Sequence, residues 1–128
     1  MGKKQIYKTQ FVEFILDEER EILEFKWLNT KNMTEDDYKS ILTLEAAYTL
    51  LHSPKYILEN ALNFEYTIAP SLQEWINQEI LIQWYILEIQ KFAIISVSET
   101  VVKLSIEQTW DGEIGAKLRK KYSTQSIA

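Results

Sequence analysis

Residues that could carry out chemistry are few in this sequence. It contains a single histidine, His52, no cysteine and three glycines. Hydrolytic triads and zinc sites need more His or Cys than this, and glycines at positions 2, 112 and 115 form no phosphate-binding loop. The neighbouring carboxylates Asp36 and Asp37 fall at a predicted helix start, where acids stabilise the helix dipole. The sequence therefore predicts no catalytic activity, no metal site and no cofactor.

Composition indicates one domain that folds on its own. The chain has 128 residues, of which 46% are hydrophobic and 26% charged, as in ordinary globular proteins. We expect a single α/β domain over residues 1–128, with its core at about residues 10–123. A net charge of −5 argues against a nucleic-acid partner. The absence of cysteine, of a secretory signal and of a long apolar run predicts a cytoplasmic protein without a membrane span.

The first half of the chain predicts a hairpin followed by a helix. Residues 10–16 and 21–28 are two apolar-rich runs, and in the second run Leu23, Phe25 and Trp27 share one face, as in a half-exposed strand. Thr34 has the chemistry of an N-cap, and Pro54 ends the helix. The apolar residues that we assign to this helix recur at helical spacing and are Tyr38, Ile41, Leu42, Leu44, Ala47, Tyr48 and Leu51.

The second half predicts alternating strands and helices. Residues 55–62 and 91–97 fit strands, and the second run is apolar enough for a central strand covered on both faces. Ser71 and Glu74 fit a capping box that opens a helix over 71–88, and another helix is expected over 98–110. The stretch 113–122 is ambiguous between helix and strand, and we favour an edge strand near 119–123. This order predicts a mixed β-sheet with an opening antiparallel hairpin and helices packed on it.

The loops after the third and fourth predicted strands are the expected place for function. In open α/β sheets, ligands and partners collect beyond the carboxyl ends of parallel strands. A concavity lined by Trp27, Tyr66 and Trp75 would favour a small ligand. The polar residues of these loops could instead serve only as helix caps and turn residues. The candidate residues for an interaction or ligand edge are Asn60, Asn63, Tyr66, Ser71, Trp75 and Ser98.

Several segments give the chain a resemblance to a known family. The opening hairpin and the segments PSLQEWI (70–76), KFAII (91–95) and LSIE (104–107) resemble the SpoIIAA-like family, also called STAS/SEC14-like, and especially its short bacterial members. The resemblance implies a SpoIIAA/STAS-like α/β layer with a non-enzymatic role. Ser71 occupies a position similar to the phosphorylated serine of anti-sigma factor antagonists, although the neighbouring Asp and Gly of that motif are missing. SEC14 relatives bind lipid in an apolar cavity.

Two functions of different classes remain open at this point. One is a regulatory or protein-interaction module of STAS-like type. The alternative is a small-ligand or lipid-binding domain with an aromatic-lined pocket. Residues 80–87 contain seven apolar residues in eight, which is more than one sheet face covers. Self-association is therefore a further expectation.

Overall fold

Six strands form one mixed sheet in which the spatial order follows the chain order. The computed structural model describes residues 2–95, 100–121 and 123–127. The first three strands run antiparallel to one another, and the last three continue the sheet in parallel with the third. The strands are β1 (Lys3–Lys8), β2 (Val12–Asp17), β3 (Ile22–Trp27), β4 (Tyr56–Asn60), β5 (Lys91–Ile95) and β6 (Ser123–Ile127).

The helices lie between the parallel strands, as expected of α/β connections. A π-helical turn, Asn77–Leu81, joins two of them into one continuous helix. The helices are α1 (Glu35–His52), α2 (Pro70–Ile76), α3 (Ile82–Leu87), α4 (Thr100–Trp110) and α5 (Glu113–Lys121). Among the residues that the structure describes, no helix is both long enough and apolar enough to cross a membrane.

The predicted mixed α/β sheet is confirmed, with two corrections to its strands. The predicted hairpin is β2 and β3, but β1 precedes it and makes the antiparallel part three-stranded. Lysines at positions 3, 4 and 8 suit an edge strand, because their charge discourages pairing with another chain. The edge strand expected near 119–123 is wrong: α5 extends to Lys121, and β6 follows it. Leu118 on α5 is fully buried, so this segment packs as a helix.

The helices form a single layer on one face of the sheet. α1 contacts α3, and α3 contacts α5. Inward-facing strand residues such as Phe25 and Phe92 are buried, whereas Leu58 and Ala93 on the opposite face are half-buried. The expectation that β5 is covered on both faces is therefore wrong. Its apolar run reflects one buried face and one face that is only half-buried.

α1 is confirmed, but its buried face differs from the predicted one. The buried residues are Tyr38, Ile41, Leu42, Glu45, Ala46 and Thr49. Leu51, which was assigned to the apolar face, is 73% exposed. The buried set repeats every three or four residues and so forms one stripe toward the sheet.

Residues 80–87 are mostly covered within the chain. Ile80, Leu81 and Trp84 are buried, and Ile86 is 69% exposed. α1 and α5 both contact the helix that these residues form. Packing within the chain therefore covers most of this apolar segment. Self-association stays a prediction.

Of the two helix N-caps that the sequence predicted, one is confirmed and the other is wrong. Thr34 caps α1 in a capping box, since its hydroxyl accepts from Asp37 N while Asp37 accepts from Thr34 N. The capping box at Ser71 is wrong: α2 begins at Pro70, and its N-cap Ala69 has no side-chain hydrogen bond. Proline fits the first helical position, because its fixed φ suits the helix and it has no N–H to satisfy. Ser71 therefore lies inside the helix and is exposed.

Replacing these two residues by alanine should have unequal effects on stability. Thr34→Ala removes a side-chain cap and should lower the free energy of unfolding by about 1 kcal/mol. Ser71→Ala removes no cap and should change it by less than about 0.5 kcal/mol. Urea denaturation of both variants measures the difference. An equal loss in the two variants would contradict the assigned start of α2.

Candidate functional site

A cavity lies between the sheet and the helix layer, at the carboxyl end of β4. Its volume is about 60 Å³, room for about two to four water molecules or a ligand of that size. Every lining residue except Glu59 is buried. The cavity is lined by Trp27, Tyr38, Leu42, Glu45, Glu59, Ala61, Phe64, Ile68, Ile76, Ile80, Leu81, Trp84, Ile94, Ile106, Thr109 and Trp110.

Glu45 is the most unusual residue in this lining. It lies on the sheet-facing side of α1, and its side chain is 0% exposed. In its ionised form, neither of its carboxylate oxygens meets a hydrogen-bond donor in the described protein. Burial, then the negative charge of Glu59 and a side-chain hydrogen bond with Glu59, raise the pKa of the Glu45 carboxyl well above its ordinary value. The protonated Glu45 carboxyl therefore donates to Glu59, and ionisation turns it into a buried acceptor without a donor, which is costly.

Glu59 supplies a second carboxylate from the sheet. It follows Ile57 by two residues on β4, so strand alternation turns both side chains toward the helices. Trp27 Nε1 donates to Glu59 Oε2 at 2.8 Å. Burial raises the pKa of Glu59 to about 7, while the hydrogen bonds from Trp27 and from Glu45 oppose this rise. Glu45 and Glu59 interact electrostatically and therefore titrate as a pair.

Aromatic rings surround the carboxylate pair. Trp27 contacts Tyr38 and Phe64, with ring centroids 5.5 and 5.0 Å apart. The Trp84 ring packs on Phe25 and Phe92, with ring centroids 6.3 and 5.2 Å apart. Trp84 Nε1 is buried and has no hydrogen-bond partner. Because Trp84 lines the cavity, the wall includes a residue with an unused donor.

A second, wider groove differs chemically from the cavity. It has a volume of about 490 Å³ and lies between α2, the π turn, α4 and α5. Asn77 is its buried polar residue, and the Asn77 amide is fully bonded: Nδ2 donates to Gln73 O and Thr109 O, and Oδ1 accepts from Gly115 N. This groove therefore offers no unsatisfied buried group to a ligand. Across the described ranges, no three His, Cys, Asp or Glu side chains group as a metal site would require.

None of the predicted candidate residues that the structure describes lines the cavity. Asn60 points to the helix-free face and donates to Glu24 Oε2, and Asn63 is exposed. Tyr66 packs on Tyr38 with ring centroids 5.0 Å apart. Trp75 is half-buried on α2, and Lys39 Nζ lies 5.2 Å from its ring centroid. Ser71 is exposed on α2, and Ser98 lies outside the described residues.

The cavity lies near the strand-to-helix edge that the sequence predicted, although the candidate residues predicted there do not line it. The end of β4 and the segment that follows it contribute Glu59, Ala61, Phe64 and Ile68 to the cavity. Of the three aromatic residues expected to form a concavity, Trp27 lines it, whereas Tyr66 and Trp75 do not.

No protein-family model matches the chain, and no curated protein or solved structure matches it either.

Proposed function

We propose that this protein is a small-ligand-binding domain whose ligand occupies the cavity beside Glu45 and Glu59. The observation that carries the proposal is the fully buried Glu45 carboxyl, which lines a cavity and whose side-chain partner is another acid, Glu59. Buried polar groups in proteins are nearly always hydrogen-bonded, and no donor of the described protein meets Glu45 once it is ionised. A ligand with donor groups would satisfy the ionised carboxylate.

The energetic cost of the pair supports a functional role. Replacing buried ionisable groups by apolar residues of similar volume is often neutral or stabilising. Glu45 and Glu59 both have a raised pKa in an aromatic cavity, and pKa shifts of this kind concentrate at functional sites. Apolar walls with a few convergent polar groups are the common composition of ligand sites.

The size and chemistry of the cavity favour a compact ligand over a lipid. About 60 Å³ accommodates about two to four non-hydrogen atoms, far fewer than an acyl chain contains. Two carboxyl groups also make the wall unsuited to a hydrocarbon tail. We keep the SpoIIAA/STAS-like assignment as part of this proposal, since helices on one face of a mixed sheet support it.

Filling the cavity tests the proposal. Ala61 is 3% exposed and lines the cavity, so Ala61→Val and Ala61→Leu reduce its volume in two steps. Ligand-observed NMR with compounds of up to about four non-hydrogen atoms should detect binding to the wild type. Binding should weaken in Ala61→Val and disappear in Ala61→Leu, while circular dichroism stays unchanged.

The matched control is Ala47→Leu, at an exposed position on α1, which should bind like the wild type. The proposal is wrong if no compound binds the wild type, or if binding survives unchanged in both Ala61 variants.

A second candidate is the regulatory or protein-interaction module of STAS-like type. Leu50 and Leu51 on α1 are 60% and 73% exposed, and Ile86 on the neighbouring α3 is 69% exposed. Exposed apolar side chains on adjacent helices favour contact with another protein or a second copy. Sedimentation velocity tests this candidate, because a partner surface of this kind should give dimers or complexes.

A further inference from the structure

We infer that the cavity binds a small organic ammonium ion, with its charged nitrogen at the Glu45 and Glu59 carboxylates. This inference rests on the proposed function and specifies the chemical class of the ligand. It follows from three properties of the wall: its charge, its aromatic rings and its unused hydrogen-bonding atoms.

The charge of the wall is the first step. Glu45 and Glu59 are its acidic residues, and no Lys, Arg or His lines the cavity. Glu59 accepts hydrogen bonds from Trp27 Nε1 and from the protonated Glu45 carboxyl, and an ionised Glu45 meets no donor of the described protein. A protonated amine brings one positive charge and up to three N–H donors. Charge-assisted hydrogen bonds of this type are about twice as strong as neutral ones.

The aromatic residues supply the second step. Tyr38, Phe64 and Trp27 form one cluster of rings beside the carboxylates. The negative faces of aromatic rings attract organic cations, and the attraction grows when water is excluded. An anion would meet both the ring faces and the carboxylates unfavourably. The wall therefore discriminates by charge as well as by size.

The indole N–H of Trp84 supplies the third step. Trp84 lines the cavity, and its Nε1 is a buried donor without a partner, so the best ligand also has a hydrogen-bond acceptor. Within about two to four non-hydrogen atoms, a short amino alcohol combines both groups. Ethanolamine is the simplest probe of this class, and n-propylamine has the same number of heavy atoms but no hydroxyl.

Protonation of the pair gives the inference a second readout. A cation favours the ionised carboxylates and displaces the proton that the raised pKa values of Glu45 and Glu59 retain. The other titratable group facing the pair is Tyr38 of α1, whose raised pKa results from burial and then from the two glutamates. Tyr66 lies behind Tyr38. Affinity for the ammonium probe should therefore increase as the pH rises through about 7.

The experiment compares matched probes by isothermal titration calorimetry at about pH 8. Ethanolamine should bind the wild type about 10- to 100-fold more tightly than ethylene glycol, its neutral analogue, because it adds charge-assisted hydrogen bonds. Glu45→Gln should reduce ethanolamine affinity by about tenfold or more and leave ethylene glycol binding unchanged. The control Glu79→Gln, at an exposed glutamate, should change neither.

The outcomes separate this inference from the proposed function. If ethylene glycol binds as well as ethanolamine, and Ala61→Leu abolishes both, the cavity binds ligands but not by charge, and the inference is wrong. If ethanolamine binds equally to the wild type and Glu45→Gln, or its affinity does not rise with pH, the inference is also wrong. If no probe of any charge binds, both this inference and the proposed function are wrong.

Discussion

Raising the pH from about 4.5 to about 8 is expected to destabilise the wild type by about 3 kcal/mol relative to the Glu45→Gln/Glu59→Gln variant. The wild type and the double variant should be about equally stable near the lower pH, where a protonated carboxyl and an amide are both neutral. The gap should open as the pH rises. Urea denaturation at intervals of pH measures it.

The sign of this effect follows from proton binding. Burial raises the pKa of Glu59 from 4.5 to about 7, so between these values the folded protein binds more protons than the unfolded chain. Stability then falls as the pH rises. The contribution of Glu59 is complete below about pH 4.5 and is lost by the time the pH passes about 7. Glu45, whose pKa burial and Glu59 raise well above the ordinary value, continues the decline to higher pH.

An exposed glutamate provides the control for this experiment. Glu79→Gln should follow the wild-type curve, because Glu79 is exposed. Parallel curves for the wild type and the double variant would mean that the buried pair costs no more than surface carboxylates. The burial of Glu45 and Glu59 would then lack the energetic cost that supports the proposed site.

The sequence predicted elements where local signals and burial agree. Thr34 with Asp37 marked the start of α1, and the alternation of Leu23, Phe25 and Trp27 marked β3. β1 was missed because its sequence is mostly polar and exposed, without the apolar alternation of a strand; Tyr7 anchors it through Tyr48 of α1, with ring centroids 5.6 Å apart. At α2, the local capping signal of Ser71 was overridden by the proline before it.

The carboxylate pair was present in the sequence as a break in two patterns. Glu45 lies seven residues after Tyr38 and three after Leu42, which places it on the same helix face. Assigning Leu51 and Ala47 to that face concealed an acid within it. Glu59 alternates with Ile57 and so faces the core. Their proximity could not be predicted, because it depends on how α1 crosses β4.

A different part of the structure positions the opposite wall of the cavity. Asn77 begins the π turn that contains Ile80 and Leu81, and both of these residues line the cavity. The Asn77 side chain ties this turn to Thr109 of α4 and Gly115 of α5, at 2.8 and 2.7 Å. π turns of this kind are frequent at functional sites. We therefore regard Asn77 as the residue that fixes the wall.

Asn77→Ala is expected to lower the free energy of unfolding by about 2 kcal/mol, since it leaves the buried Gly115 N–H unpaired and removes one of the two hydrogen bonds that the Thr109 carbonyl accepts, the other coming from Gly112 N. Asn63→Ala, at an exposed asparagine, should cost less than about 0.5 kcal/mol. Thermal or urea denaturation gives both values. A loss of about 0.5 kcal/mol or less in Asn77→Ala would contradict the proposed role of this amide.

Two glycines that touch the same site make this prediction more specific. A Cβ at Gly112 would lie 2.5 Å from Asn77 Nδ2, and a Cβ at Gly115 would lie 2.5 Å from the Trp110 carbonyl oxygen. Each Gly→Ala change should cost about 2 kcal/mol in the wild type, because the close-packed neighbours must shift. In the Asn77→Ala background, Gly112→Ala should become nearly neutral, since the side chain that it met is gone. Gly115→Ala should stay destabilising, because its obstacle is backbone that Asn77→Ala does not remove. Equal costs for Gly112→Ala in the two backgrounds would show that Asn77 does not fill this space and that another contact holds the π turn.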